Sequence, residues 1–214
     1  MAELKGRIKM IRSASEPEVI AEFLRSEYYI LPAKLKRKKY ELLLNNPDFM
    51  DEYQNKKRKD LLRIIRGDMV DTLPANIDWR LVKLSIDTLK EVNVMDYPTW
   101  NYLSEEKHSL KVAVFNIKKI KKDGFSNAVF LSLEKELNVT VRKIFDIISN
   151  GLSLIEFRPI LMVASENTTP TLIEGAHRAS ALCIIQDDNG LDMYIHAYLG
   201  IGNEVKKYKW VINI

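Results

Sequence analysis

Residues 171–182 read Thr-Leu-Ile-Glu-Gly-Ala-His-Arg-Ala-Ser-Ala-Leu, an order that suits anion chemistry. The apolar run ending at Glu174 has strand character, Gly175 can turn the chain, and His177-Arg178 open a stretch of helical composition. A glycine turn that feeds a helix leaves the N–H groups of the first helical turn without intrahelical partners, and the helix dipole adds partial positive charge there. Arg178 offers a planar fork of donors to a phosphate, and His177 a donor whose charge titrates near neutrality. Glu174 sets a carboxylate at the mouth of the turn. Gly175, Ala176, His177 and Arg178 are therefore the candidate phosphate-binding residues. The same spacing also fits a plain strand–turn–helix junction with a structural histidine and a surface arginine.

Other chemistries find little support. His108, His177 and His196 are scattered, and none pairs with a His or Cys at ligand spacing, so no zinc site is expected. There is no Gly-x-x-x-x-Gly-Lys-Ser/Thr loop and no Gly-x-Ser-x-Gly elbow. Asp187-Asp188-Asn189-Gly190 reads as a turn rather than a magnesium site. Cys183, the single cysteine, lies on an apolar run and reads as core.

Glu174-Gly175-Ala176-His177-Arg178 with Ala181 resembles the (Asp/Glu)-Gly-x-(His/Arg)-Arg-x-x-Ala box of the ParB/sulfiredoxin-like superfamily. Upstream, Gly151-Leu152, Arg158-Pro159-Ile160-Leu161-Met162-Val163 and Leu172-Ile173-Glu174-Gly175 are similar to that family's successive segments. Trp79 to Leu89 looks like its first strand and the loop after it. The resemblance covers roughly residues 77–200. It implies an α+β ParB/sulfiredoxin-like domain that binds the phosphate of a nucleotide (ATP, ADP or CTP) with Mg2+. The position that carries the sulfiredoxin cysteine is Ala176 here, so thiol chemistry has no nucleophile. The chain ends at Ile214, without the helix-turn-helix that partition proteins carry after this domain. In the kinase members an acidic residue in the loop after the first strand takes the proton of the substrate hydroxyl. Asp96 is the residue of this chain matched to it, with Asp87 and Glu91 as other acids of the loop. The resemblance thus implies a phosphotransferase for a small hydroxyl-containing substrate, or a nucleotide hydrolase, with Asp96 as base and Glu174 assisting. The alternative is a non-catalytic nucleotide-dependent module that contacts nucleic acid or a protein.

Composition bounds these readings. The chain has 214 residues, 46% of them hydrophobic, which is enough for one core plus an extension or for two small domains. No apolar stretch is long enough to span a bilayer, and residues 1–12 lack the apolar core of a signal peptide. With one cysteine, this leads to the expectation of a cytoplasmic protein with no membrane partner. The formal charge of +4 is uneven: residues 1–70 hold 16 Lys and Arg against 11 Asp and Glu. The excess sits in Lys34–Lys39 and in Lys56–Arg66, which read either as solvated helix faces or as a surface for nucleic acid or a protein.

Two regions must position the candidate site. Residues 1–70 are expected to be a basic helical extension, with helices from Ser15 to about Arg25, from about Ala33 to Asn45 and from about Asp48 to Arg66, where Gly67 stops the last. Their apolar surface is too small for a separate core, so they should pack on the rest of the chain or on another subunit. Residues 77–214 are expected to form the α+β domain. Its strands lie at Arg80–Leu84, Arg158–Ala164, up to Glu174, Met193–Leu199 and Lys207–Ile212. Its helices lie at about 107–120, capped by Ser104, then 126–136, 140–149 and from His177 to about Ile185.

Overall fold

All four residues of Ile160-Leu161-Met162-Val163 are buried, as a strand with both faces covered requires. Ile160 and Met162 join one apolar cluster, and Leu161 and Val163 join another on the opposite face. The protein is thus a sheet between two helical layers. The structure, a computed structural model, describes residues 7–28, 38–123, 131–150, 158–163, 165 and 168–212.

The sheet has six strands: β1 (Ile8–Ser13), β2 (Asp78–Ser85), β3 (Asn93–Val94), β4 (Ile160–Val163), β5 (Thr171–Glu174) and β6 (Tyr194–Ile201). Their order is β1-β2-β6-β4-β5-β3. The sheet is mixed: β4 runs parallel to β6 and β3 parallel to β5, while β1–β2, β2–β6 and β4–β5 are antiparallel. The fold is α+β.

One helical layer holds α4 (Ile86–Lys90), α5 (Pro98–Leu103), α6 (Leu110–Asp123), α7 (Leu131–Asn150) and α8 (Ala176–Asn189). Leu89, Leu103, Ile117, Ile144 and Leu182 are among the residues it packs on Val82, Leu84, Leu172 and Leu199 of the sheet. The other layer holds α1 (Glu16–Glu27), α2 (Lys38–Asn45) and α3 (Glu52–Val70). Phe23, Leu24, Leu62 and Val70 pack there with Trp79, Ile160, Ile173 and Tyr198. Residues 1–70 therefore share a core with the later part of the chain, as the shortage of apolar surface requires. No helix among the described residues is long and apolar enough to cross a membrane.

Local chemistry explains three of the helix ends. Ser15 caps α1 through a reciprocal pair: the Glu18 N–H donates to Ser15 Oγ at 3.4 Å and the Ser15 N–H to Glu18 Oε1 at 3.2 Å. Asp51 caps α3 by accepting from the Gln54 N–H at 3.1 Å. Gly190, at φ 63°, closes α8 in the left-handed region.

Several expectations need correction. The N-terminal region is not wholly helical: β1 pairs antiparallel along β2 at the edge of the sheet, with Ile8 its one partly buried residue. α3 does not stop at Gly67; it kinks at Arg66 (φ −133°, ψ 40°) and continues to Val70. Ser104 does not start a helix; it ends α5, its N–H donating to Trp100 O at 2.9 Å. One helix, α7, runs through 137–140 where a break was expected, because Leu137, Val141 and Ile144 bury one continuous stripe. α8 runs to Asn189, so Asp187 and Asp188 lie in its last turn. Asn203–Lys207 is a 3-10 turn and the described residues after it form no strand; Tyr208 anchors them by donating its hydroxyl to Met69 O at 2.8 Å. Gly151-Leu152 and the expected start of α2 lie outside the described residues.

Candidate functional site

Strand β5 ends at Glu174, and Gly175 caps α8 with φ 97° and ψ 15°, a backbone that residues with a Cβ seldom adopt. The first helical bond follows at once, from the Ala179 N–H to Gly175 O at 2.8 Å. The strand, glycine turn and helix read from residues 171–182 are present at those positions. Gly175 and Ala176 are buried; Glu174, His177 and Arg178 are partly exposed.

The side chains around this turn form a charged cluster whose other half comes from the N-terminal region. Arg178 reaches back to Glu174 Oε1 at 3.3 Å and across to the hydroxyl of Ser26 at the end of α1. Next to Ser26, Glu27 Oε1 accepts from Arg66 Nε at 3.0 Å and from its terminal nitrogen at 2.8 Å. One turn earlier, the buried Glu22 faces Arg25 at 2.5 Å and Arg158 at 3.7 Å. Four guanidinium groups thus surround three carboxyl groups. Burial raises the pKa of Glu22, against the pull of Arg25, Arg158 and Arg178. Burial and the neighbouring Glu27 carboxylate push Glu174 up to about 7, against Arg178 and Arg66. A carboxyl group at that value can hold or accept a proton at neutral pH. Four guanidinium groups against three carboxyl groups leave the cluster net positive, which suits an anion.

His177 does not behave as the titrating donor its position suggested. Burial, with Lys143, Arg178 and Arg66 nearby, drives it down to about 3, so the imidazole is neutral at physiological pH. Its ring meets the edge of Trp100 on α5, with centroids 5.6 Å apart and planes at 71°. A neutral ring can still give one N–H to a ligand, but it adds no charge.

Asp96 lies at the same end of the sheet. β3 runs parallel to β5 with Asn93 beside Thr171 and Val94 beside Leu172. β3 ends at Val94, and Asp96 lies in the bend that follows it, before α5. Asp96 is exposed, and its Oδ1 accepts from Asn101 Nδ2 at 2.7 Å. Of the other loop acids, Asp87 is bound to Lys90 at 3.1 Å and to Gln186 at 2.7 Å, and Glu91 faces Lys111 at 3.7 Å. Among the described residues, no group of three or more His, Cys, Asp and Glu is placed to share a metal ion.

The basic run Lys56–Arg66 is largely consumed inside the protein. Arg58 is fully buried and donates to Leu43 O at 3.1 Å and Asp48 O at 2.8 Å, tying α2 to α3. Lys59 pairs with Glu16 at 2.8 Å, Arg63 with Asp71 at 2.6 Å, and Arg66 with Glu27. Lys34 to Arg37 lie outside the described residues, and only the backbone of Lys38 and Lys39, at the start of α2, is described.

Compared with protein-family models, with curated proteins and with solved structures, the chain gives no match. The sequence reading missed Glu22, Ser26, Glu27 and Arg66. They stand about 110–150 positions before the glycine turn, and a charged residue on an amphipathic helix carries no mark of its distant partner. One signal was present: Glu22 and Glu27 lie on α1 among Val19, Ile20, Phe23 and Leu24, where a wholly solvated acid is out of place.

Proposed function

We propose that the chain binds the phosphates of a nucleotide at the Gly175 turn and transfers a phosphoryl group to a small hydroxyl compound or to water. The ParB/sulfiredoxin-like resemblance of the box motivates this reading. The observation that carries it is the joint placement of Arg178, Arg66 and the Glu174 carboxyl around the left-handed Gly175 at the head of α8. Such a seat supplies what phosphoryl transfer needs from a protein: positioning and charge stabilisation. Asp96, exposed in the bend after β3, is the candidate base for the attacking hydroxyl; Glu174 assists as a carboxyl able to exchange a proton near pH 7. Gly175, Ala176, His177 and Arg178 hold the phosphates. Magnesium is commonly held by one or two carboxylates and completed by phosphate oxygens, and Glu174 is the carboxylate of the seat that would hold it. Bound there, the ion would neutralise charge on the phosphate oxygens.

The test is turnover of ATP, ADP and CTP with magnesium and a set of hydroxy compounds, free serine first. Asp96→Asn keeps size and removes the basic carboxylate, so the rate should fall roughly 10²–10⁴-fold. No turnover with any nucleotide, or an Asp96→Asn protein as fast as wild type, points instead to a non-catalytic nucleotide-binding module with a nucleic-acid or protein partner.

A further inference from the structure

The phosphate seat has an aromatic rim that the proposed chemistry does not use. Tyr97 directly precedes α5, and Trp100, one turn later, touches the His177 ring of the seat. Tyr97 also lies within electrostatic reach of Arg66. The ring of Trp210 stands 6.4 Å from that of Tyr97, with the planes inclined at 34°. Trp210 is brought there by the C-terminal segment, which fastens beside β5 where the Ile212 N–H donates to Thr171 Oγ1 at 3.1 Å. One face of Trp210 is covered by Lys209, whose Nζ lies 4.4 Å from the ring centroid. Tyr97 is 41% exposed and is the open member of the pair. Trp210 Nε1 on this rim is buried without a hydrogen-bond partner, as is Glu27 Oε2 in the charged cluster.

We infer that Tyr97, backed by Trp210, is the stacking platform for the base of the nucleotide whose phosphates occupy the Gly175 turn. This rests on the phosphate-binding reading and adds the part of the ligand that the reading leaves unplaced. A nucleobase presents a flat π-face to an aromatic ring, and stacking tolerates any base. Arg178 and the Gly175 turn hold the anionic end, and the exposed phenol ring of Tyr97, one turn before Trp100, takes the flat, neutral end. Stacking on one ring raises affinity by about tenfold, within the usual range for a base on an aromatic side chain.

Calorimetry on the full chain with magnesium decides it, using ATP and CTP against inorganic tripolyphosphate, which has the charge and no base. Wild type should bind both nucleotides about tenfold tighter than tripolyphosphate. Tyr97→Leu should erase that margin and leave tripolyphosphate unchanged; Tyr97→Phe, which keeps the ring, should retain it. Tyr97 is exposed, so both variants should fold, and the wild-type margin is read without them. If wild type binds nucleotides and tripolyphosphate alike, and Arg178→Ala weakens both about 30-fold, the phosphate seat stands and the platform is wrong. A margin that survives Tyr97→Leu also overturns the platform. If none of the three ligands binds wild type, the phosphate reading fails and takes the platform with it.

Discussion

Glu174 and His177 titrate in opposite senses, and together they shape the pH dependence of stability. His177 falls to about 3 in the folded protein from an ordinary 6.5, so between those values the unfolded chain binds a proton that the folded one refuses. Its contribution is complete above about pH 6.5 and is lost as pH falls toward 3. Glu174 rises to about 7 from an ordinary 4.5, so over that range the folded protein keeps a proton that the unfolded chain has released. Its contribution is complete below about pH 4.5 and is lost as pH rises through 7. Each slope is at most about 1.4 kcal/mol per pH unit, and between pH 4.5 and 6.5 the two oppose. Glu174→Gln should unmask the histidine: its stability should climb with pH over that window more steeply than that of wild type. Urea denaturation at a series of pH values measures this, and parallel profiles for the two proteins would rule it out.

At the scale of elements, Arg178 ties three pieces together, since it leaves α8, pairs with the end of β5 and bonds to Ser26 at the end of α1. Arg178→Ala should cost on the order of 2 kcal/mol in nucleotide affinity through lost charge-assisted bonds. Arg178→Lys should recover only part, because a point charge cannot reproduce the planar fork. Calorimetry with ATP reads both, and an unchanged affinity in the Ala protein would place the phosphate elsewhere. The strand, glycine and helix around this arginine were legible in the sequence because each carries a local mark: a short apolar run, a glycine where φ must be positive, and a helical composition after it. Elements set by distant contacts were not legible. β1 looks like part of a charged helical region because an edge strand needs only its partner β2, some 70 residues away, to form. α7 carries Asn138, Val139 and Thr140 in its middle, which weaken local helix preference, and tertiary burial of Leu137 and Val141 overrides them. The final segment alternates Tyr208, Trp210 and Ile212 as a strand would. It is instead drawn into separate anchors on Met69 and Thr171.

For the whole molecule, the main consequence is that residues before 71 belong to the core. α1 and α3 cover the face of the sheet that carries Trp79, Ile160, Met162, Ile173 and Tyr198. A chain beginning at residue 71 would bare that face and lose half of the charged cluster with Glu22, Glu27 and Arg66. It should bind a hydrophobic dye strongly and unfold without a cooperative urea transition. A sharp transition with little dye binding would show that the later region folds by itself. The same sharing explains why the candidate site was only half visible from its motif: its glycine turn is local, but the groups that set its charge arrive from the other layer.

The outer side of β1 remains as an open rim of unpaired main-chain groups among the described residues, with Met10 49% and Ile11 47% exposed upon it. Such a rim invites another copy of the chain to add itself as a seventh strand. Lys9 sets positive charge on the same stretch, whereas Arg12 is paired with Glu18 at 2.6 Å, so two copies brought edge to edge would repel through Lys9. That repulsion is electrostatic and reaches only about 10 Å at 0.1 M salt. Solubility should therefore fall, and light scattering should rise, as salt is increased from about 0.05 M to about 0.5 M, and Lys9→Glu should shift that onset. Scattering that is flat across the series would mean the rim is guarded by shape rather than by charge.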